Sequence, residues 1–196
     1  MKNKEIQEKR MKDYFIQATK DILKAEGITS LSVRNIADQA GYSYATLYHY
    51  FKDVNDLIFL CVHDFQEECH AFVRNQTKKS TRGMEKIRAT VLAYMQYFVE
   101  YPGIFELFYL VKVGDFGGKQ STLDVISHSL DRICEEEWVY CIHTNVLTEN
   151  QTVGVKEQLK FGVVGLLLFY LNRRTPDSYT LFMDQARRWI GTVLVS

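Results

Sequence analysis

The sequence is poor in the features that interrupt helices or that mark exported and membrane proteins. It contains only two prolines, Pro102 and Pro176, which leaves long stretches free to be helical. The longest strongly apolar run, residues 161–171, is well short of the roughly 20 residues that a membrane-spanning helix needs. The first ten residues, MKNKEIQEKR, lack the apolar segment of a secretory signal. We therefore expect a cytoplasmic, helical protein without a membrane partner.

An excess of one charge is also missing, and cysteine is scarce. The 24 Lys and Arg residues balance 24 Asp and Glu, so any nucleic-acid surface has to be local. Four cysteines, all in helix-like stretches, favour a reducing compartment. No serine, cysteine or carboxylate stands in a recognisable catalytic setting, and a glycine-rich nucleotide loop is absent. The sequence therefore favours neither an enzyme nor a protein with a bound cofactor.

Helical periodicity is abundant instead. Over residues 5–26, apolar residues recur every three or four positions, which predicts an amphipathic helix. Short helices are predicted after Ser32 and Ser43, whose hydroxyls are good N-caps. Gly41 lies between them and suits the left-handed conformation at a helix end. Asp53 can cap a longer fourth helix.

A polar link at residues 75–82 follows, and the rest of the chain again shows helical periodicity. No segment alternates with a period of two for long enough to be a strand, so the predicted fold is all-α. A loop is predicted at GDFGGKQ, residues 114–120. The further predicted helices cover residues 83–101, 104–113, 121–142, 155–174 and 177–195.

The segment GYSYATLYHYF, residues 41–51, concentrates five aromatic rings and a histidine. At 100° per residue, Leu47 and Phe51 fall on one side of a helix and can join a core. Phenols, an imidazole and an ammonium group fall on the other side and look outward. These outward residues are Tyr44, Tyr48, His49 and Lys52.

Such an outward surface suits a DNA groove. Hydroxyl, N–H and ammonium donors reach phosphate oxygens, and ring edges touch thymine methyl groups. Ser43 and Thr46 add small donors at the helix start. Two short helices joined by a glycine-containing turn follow the helix-turn-helix plan. The alternative is that two of the three tyrosines simply belong to the core.

Residues 31–57, LSVRNIADQAGYSYATLYHYFKDVNDL, resemble the DNA-binding sequence of the tetracycline-repressor (TetR) family of bacterial transcription regulators. The resemblance rests on R-x-I-A followed by G-x-S-x-A-T-L-Y-x-Y-F. It implies an all-helical protein of about nine helices. It further implies a helix-turn-helix DNA-binding domain at residues 1–53 and a helical effector-binding and dimerisation domain at residues 54–196. The implied partners are operator double-stranded DNA, a second copy of the chain and a small-molecule effector.

The family's DNA contacts can be carried over residue by residue. Arg34 is the best candidate for a base contact, because its fork matches the two acceptors of guanine. Tyr48 and Lys52 are better suited to phosphates. The implied DNA-binding residues are Ser32, Arg34, Ser43, Tyr44, Ala45, Thr46, Tyr48, His49 and Lys52.

This sequence departs from the family at one position. Many members carry a lysine near the start of the fourth helix that meets the DNA backbone, and here the corresponding residue is Val54. Residues 1–60 hold nine Lys and Arg against eight Asp and Glu. We therefore predict that DNA affinity depends only weakly on salt concentration, because few phosphates are contacted.

The second part of the chain is rich in aromatic residues, which often line pockets for small ligands. As a set they predict a pocket for a small, largely apolar effector, whereas ordinary core packing is the alternative for each residue alone. The candidate ligand-binding residues are Phe65, Tyr97, Phe98, Tyr101, Phe105, Phe108 and Tyr109.

The last two predicted helices are apolar on nearly all sides and have to be buried by something. In the family, two such helices pair with their copies in a four-helix dimer interface, and the alternative is burial within one subunit. The candidate interface residues are Phe161, Gly162, Gly165, Leu168, Phe182, Trp189, Ile190 and Val193.

Two further interpretations compete with these. His63, Glu67 and His70 have a helical spacing that could gather metal ligands, but exposed helix residues spaced in this way usually bind nothing, so no metal is predicted. The leading function is a dimeric, ligand-responsive repressor that binds a palindromic operator. The competing function is a helical small-molecule-binding or scaffold protein whose helix-turn-helix does not read DNA.

Overall fold

The computed structural model describes residues 2–111 and 120–195, and every regular element in these ranges is helical. This confirms the predicted all-α class. None of the helices described combines the length and the apolar character that crossing a bilayer requires. A 3₁₀ helix, Ile28–Ser30, joins the first two of ten α-helices. The α-helices are α1 (Lys2–Ala25), α2 (Val33–Ala40), α3 (Tyr44–Tyr50), α4 (Val54–Gln76), α5 (Met84–Glu100), α6 (Pro102–Tyr109), α7 (Gln120–Ser127), α8 (Ser129–His143), α9 (Glu149–Arg173) and α10 (Tyr179–Val195).

The predicted helix ends near the helix-turn-helix are confirmed. The Ser32 hydroxyl accepts a hydrogen bond from the Asn35 N–H at 3.1 Å, and the Ser43 hydroxyl accepts one from the Thr46 N–H at 3.2 Å. Gly41 has φ 75°, the left-handed conformation expected of it. These local interactions fix where α2 ends and α3 begins.

The described helices outnumber the nine expected, because residues 121–142 do not form one helix. The backbone of His128 has φ −105° and ψ 8°, which interrupts the helix between α7 and α8. The helix predicted to begin at residue 104 begins at Pro102, whose fixed φ suits a first helical position. This helix ends at Tyr109, before the predicted end at residue 113, and the N–H of Leu110 caps it by donating to the Glu106 carbonyl. Most of the predicted loop at 114–120 lies outside the described residues, and Gln120 begins α7.

The chain divides into two compact units, Met1–Gln66 with Tyr101–Ile126 and Glu67–Glu100 with Ser127–Ser196. In the first unit, α1 packs against α2 and α6, and α2 packs against α3. The units divide within α4, whereas the predicted functional boundary follows residue 53. The assignment of DNA binding to residues 1–53 and of effector binding to residues 54–196 remains a prediction.

The second unit is built around α5, which packs against α8, α9 and α10. The buried carboxylate of Glu137 on α8 accepts a hydrogen bond from the N–H of Gly83, the residue before α5, at 2.7 Å. This bond satisfies a backbone donor at the start of α5. Gly162 of α9 lies directly against the Trp189 ring of α10, where a Cβ atom would overlap the indole. Close approach of α9 and α10 therefore depends on this glycine.

Candidate nucleic-acid interface

The inner side of α3 anchors it to the first unit. Leu47 is fully buried and Phe51 is nearly so, in one cluster with Phe15 and Ile36. The rings of Phe15 and Phe51 meet edge to face with centroids 6.3 Å apart. This anchoring fixes the rotation of α3 about its axis and so decides which side chains face solvent.

The outer side of α3 carries the four residues expected there. Tyr44 is 65% exposed and Tyr48 is 53% exposed, and His49 and Lys52 are exposed as well. Tyr44 and Tyr48 lie one helical turn apart, so their rings form one contiguous exposed surface, and contiguous exposed apolar surface marks interaction sites more often than single exposed residues do. The predicted outward orientation is therefore what the structure has, while DNA contact by these residues remains a prediction.

The other predicted contact residues surround this face. Ser32, Arg34, Ser43 and Ala45 are exposed, and Thr46 is half-buried. The hydroxyls of Ser43 and Thr46 lie 2.9 Å apart, so each can orient the other. All nine predicted residues thus have at least part of their surface open to a partner.

A groove of about 500 Å³ lies between α2 and α3, and two of the polar residues that line it are not among the predicted DNA contacts. Arg34 and Tyr48 line this groove, as predicted, but so do Asp38 and Tyr42. Asp38 stands one helical turn after Arg34, so the spacing already placed it on the same face. Its carboxylate can accept a hydrogen bond from a cytosine amino group.

Tyr42 lies in the turn, where helical periodicity assigns it no face. Its ring centroid lies 6.0 Å from that of Tyr14 and 5.7 Å from that of Phe15, both on α1. The side chain remains 37% exposed. Tyr42 therefore combines packing against α1 with an edge that is open to the groove.

The departure at Val54 has a structural reason. Val54 is half-buried and packs against the cluster that contains Phe15 and Leu47, so this first residue of α4 serves the core and not the surface. The Lys52 N–H donates to the Asp56 carboxylate at 3.2 Å, which ties the end of α3 to the start of α4. The exposed Lys52 side chain is the nearest cation to this position in the sequence.

Residues 15–60 match the sequence model of the bacterial regulatory proteins of the tetR family. The match spans 46 of the 196 residues. The matched residues include α2, the turn at Gly41 and α3, so the helix-turn-helix is the part of the chain on which the match rests.

Solved structures with the same fold cover nearly the whole chain. The fatty acid degradation regulator FadR from Bacillus halodurans has a TM-score of 0.70 and 13% identity, covering 91% of this chain and 93% of its own. FadR from Bacillus subtilis, in complex with stearoyl-CoA, has a TM-score of 0.70 and 14% identity, with 92% and 96% covered. A TetR-family protein from Syntrophomonas wolfei has a TM-score of 0.70 and 16% identity, with 96% of both chains covered. At these identities the likeness shows the fold.

The candidate ligand-binding residues are all at least half-buried, and they belong to both compact units. Phe65 and Phe105 of the first unit and Tyr97 and Phe98 of the second are almost completely buried. Phe108 is 5% exposed, and Tyr101 and Tyr109 are half-buried. Burial is compatible with a pocket lining and with ordinary core packing, so the effector pocket remains a prediction.

The candidate interface residues separate into two groups. Phe182, Ile190 and Val193 of α10 are buried within the single chain, so they are core residues of the second unit and have no surface left for a partner. Phe161, at 67%, and Leu168, at 37%, are exposed on α9. The interface prediction therefore narrows to the exposed side of α9.

The glycines of α9 divide in the same way. Gly162 is occupied by its contact with Trp189 in the same chain, whereas nothing lies within 4 Å of a Cβ built at Gly165. Gly162 therefore allows two helices of one subunit to pack closely, and its part in a dimer interface remains a prediction. Gly165 is the one of the pair with space for an approaching helix.

Proposed function

We propose that this chain is a ligand-responsive transcription regulator of the TetR family that binds a palindromic operator as a homodimer and releases it on binding an effector. The observation that carries the proposal is the division of α3 into two sides. Leu47 and Phe51 hold the helix in the core, which leaves Tyr44, Tyr48 and His49 exposed with no interior role. Donors of this kind on the second helix of a helix-turn-helix suit the edges and phosphates of a major groove.

The exposed side of α9 supports the dimer. Phe161 and Leu168 are exposed apolar residues seven positions apart, so they share one side of α9, and the exposed Phe169 extends this surface by about 100° around the helix axis. Contiguous exposed apolar surface of this kind marks an association site. A two-fold dimer also suits an operator whose half-sites lie about 34 Å apart.

The proposed effector is small and largely apolar. Support comes from the buried aromatic residues of the second unit, among them Tyr94, Tyr97 and Phe98, because rings of this kind line many ligand pockets. The complex of the Bacillus subtilis FadR with stearoyl-CoA makes a long-chain acyl-CoA the first compound to test. Release of DNA on effector binding requires the effector to bind the DNA-free conformation more tightly.

DNA binding is tested by fluorescence anisotropy on duplexes obtained by selection from a random library. Tyr48→Ala and Arg34→Ala should each weaken the selected duplex by about tenfold or more, and Tyr48→Phe separates the hydroxyl from the ring. Tyr179→Ala is the matched control, because Tyr179 is a 42% exposed tyrosine at the start of α10. It should leave DNA affinity unchanged.

The competing scaffold function predicts a different result. A correctly folded protein that selects no sequence from the library, or whose weak binding is insensitive to both substitutions, would contradict DNA reading. Thermal-shift and DNA-release assays with fatty acids and acyl-CoAs then test the effector separately. Effector binding without any DNA binding would support the scaffold alternative.

The dimer is tested by light scattering of the purified protein. Phe161→Glu should shift the mass toward the monomer, because a carboxylate cannot be buried unpaired in an apolar interface. Val146→Glu is the control, since Val146 is 54% exposed in the turn after α8. A wild-type monomer at micromolar concentration would refute the dimer.

A further inference from the structure

The second unit contains a polar cavity of about 210 Å³ between α4, α5 and α8. Three of its polar side chains are more than nine-tenths buried, namely Thr77, Thr90 and Glu137. Cavities that stay empty in proteins are usually apolar, whereas polar ones hold water or a ligand group. The volume is below the roughly 300–1,000 Å³ of pockets that enclose whole small ligands. It therefore suits one charged group and not a complete apolar effector.

Two arginines face this cavity from different helices, Arg74 from α4 and Arg132 from α8. Within the described part of the chain, neither guanidinium forms an ion pair. Burial is the main reason why the pKa of His70 lies below its ordinary value. The positive charges of Arg74 and Arg132 lower this pKa further, whereas the negative charge of Glu67 raises it. The positive field of the two arginines is thus directed into the cavity.

One of the two carboxylates in the cavity wall is already neutralised. Glu137 accepts the Gly83 N–H at 2.7 Å and forms ion pairs with Arg82 at 3.3 Å and Lys86 at 3.5 Å. The negative charge of Glu137 is therefore balanced by groups at the start of α5. Glu136 is exposed and stands one helical turn after Arg132, so it is the acidic group in the wall that would oppose an incoming anion.

The wall also contains a polar atom that lacks a partner. Among the described residues, the Nε2 atom of His70 is shielded from solvent and has no hydrogen-bond partner. An unpaired polar atom in such a position costs free energy unless something else pairs with it. In a neutral imidazole this nitrogen accepts, so a water molecule or a ligand hydroxyl that donates to it would satisfy it.

A second depression, of about 430 Å³, shares Arg74 and Lys86 with the cavity. The other residues that line it are Asn75 and Lys78, so it presents three cations and no carboxylate. Arginine forks match phosphate oxygens in pairs, and lysine provides a compact charge for the same group. Two adjoining basic recesses can hold two linked anionic groups.

We propose that the cavity and this depression bind the phosphate groups of a small molecule, with Arg74 and Arg132 as the principal ligands. The phosphates belong either to a free polyphosphate or to the phosphorylated end of a larger effector. The inference concerns the second unit alone and does not depend on DNA binding, since it is measured without DNA.

Isothermal titration calorimetry on the full-length protein tests the proposal and distinguishes the two sources. Pyrophosphate, unacylated coenzyme A, stearoyl-CoA and stearate are the titrants. Binding of pyrophosphate supports a free polyphosphate, and binding of coenzyme A or stearoyl-CoA without pyrophosphate supports a phosphorylated effector. Binding of stearate alone, or of none of the four, would overturn the proposal.

Variants decide whether any binding occurs at this site. Arg74→Gln and Arg132→Gln should each weaken the phosphate ligand by about tenfold or more, whereas Glu136→Gln should strengthen it by removing a repulsion. Lys79→Gln is the control, because Lys79 is exposed on the neighbouring turn and lines neither recess. Equal losses of affinity in Arg74→Gln, Arg132→Gln and Lys79→Gln, in variants with unchanged thermal unfolding, would show a nonspecific charge effect and refute the site.

Discussion

The salt dependence of DNA binding follows from the number of cations on the recognition segment. Residues 31–53 contain two side chains with a full positive charge, Arg34 and Lys52, and both are exposed. The tyrosines and serines of this segment can bind phosphates without releasing counterions. If Lys52 neutralises one phosphate, and Arg34 neutralises one beside the base that it contacts, a dimer neutralises about four phosphates and the slope of log K against log salt is about −3.6.

This slope gives a measurable loss of affinity. Raising the salt concentration from about 50 to about 200 mM should weaken binding by about 150-fold. Lys52→Gln removes two cations from a dimer and should bring the slope to about −1.8. Tyr48→Phe should lower the affinity without changing the slope, because it removes a hydroxyl and no charge. Anisotropy with one labelled operator duplex at five or more salt concentrations measures all three proteins.

A steep slope would refute this reasoning. A value of about −8 or beyond requires about nine neutralised phosphates, more than the recognition segment can supply. Cations elsewhere would then have to reach DNA, and Lys9 and Arg10 near the start of α1 are exposed candidates. An unchanged slope in Lys52→Gln would likewise show that Lys52 meets no phosphate.

Three further predictions concern stability. Gly162→Ala should lower the free energy of unfolding in urea by about 1–3 kcal/mol, because its methyl group overlaps the Trp189 ring. Gly154→Ala, on the same helix and with nothing within 4 Å of the added methyl group, should not, and equal losses would contradict the packing. Ser43→Ala should cost about 1 kcal/mol in the same assay by removing the N-cap of α3. The lowered pKa of His70 means that the unfolded chain takes up the proton first, so acidification below the ordinary pKa of 6.5 should destabilise the fold. His70→Asn should reduce this acid-side loss in unfolding curves recorded at several pH values.

The recognition face was predictable because it depends on interactions close in sequence. The caps at Ser32 and Ser43 need partners only three residues away, and the rotation of α3 follows from the positions of Leu47 and Phe51 in one short helix. The spacing of residues along the sequence is enough to predict such features. The place of Tyr42 was not predictable in this way, because its ring partners belong to α1.

The basic cavity could not be predicted from the sequence either, because the residues that line it are far apart along the chain. Its cations Arg74, Lys86 and Arg132 come from three helices, and no local pattern joins them. The spacing of Glu67 and His70 drew attention to a metal site, but among the described residues no group of His, Cys, Asp and Glu side chains is arranged to hold a metal ion. Tertiary packing instead places His70 beside two guanidinium groups.

Residues of α4 (Val54–Gln76) enter both the proposed DNA-binding function and the proposed phosphate site. The first turn of α4 is tied to the end of α3 through Lys52 and Asp56, and its last turns carry His70 and Arg74. Shared membership of a helix is not yet coupling, because a ligand shifts a conformational equilibrium only by the difference between its affinities for the two states. An anion that binds equally well with and without DNA would leave the operator bound, however tight its own binding. Phosphate binding and operator release are therefore separate properties, and either can hold while the other fails.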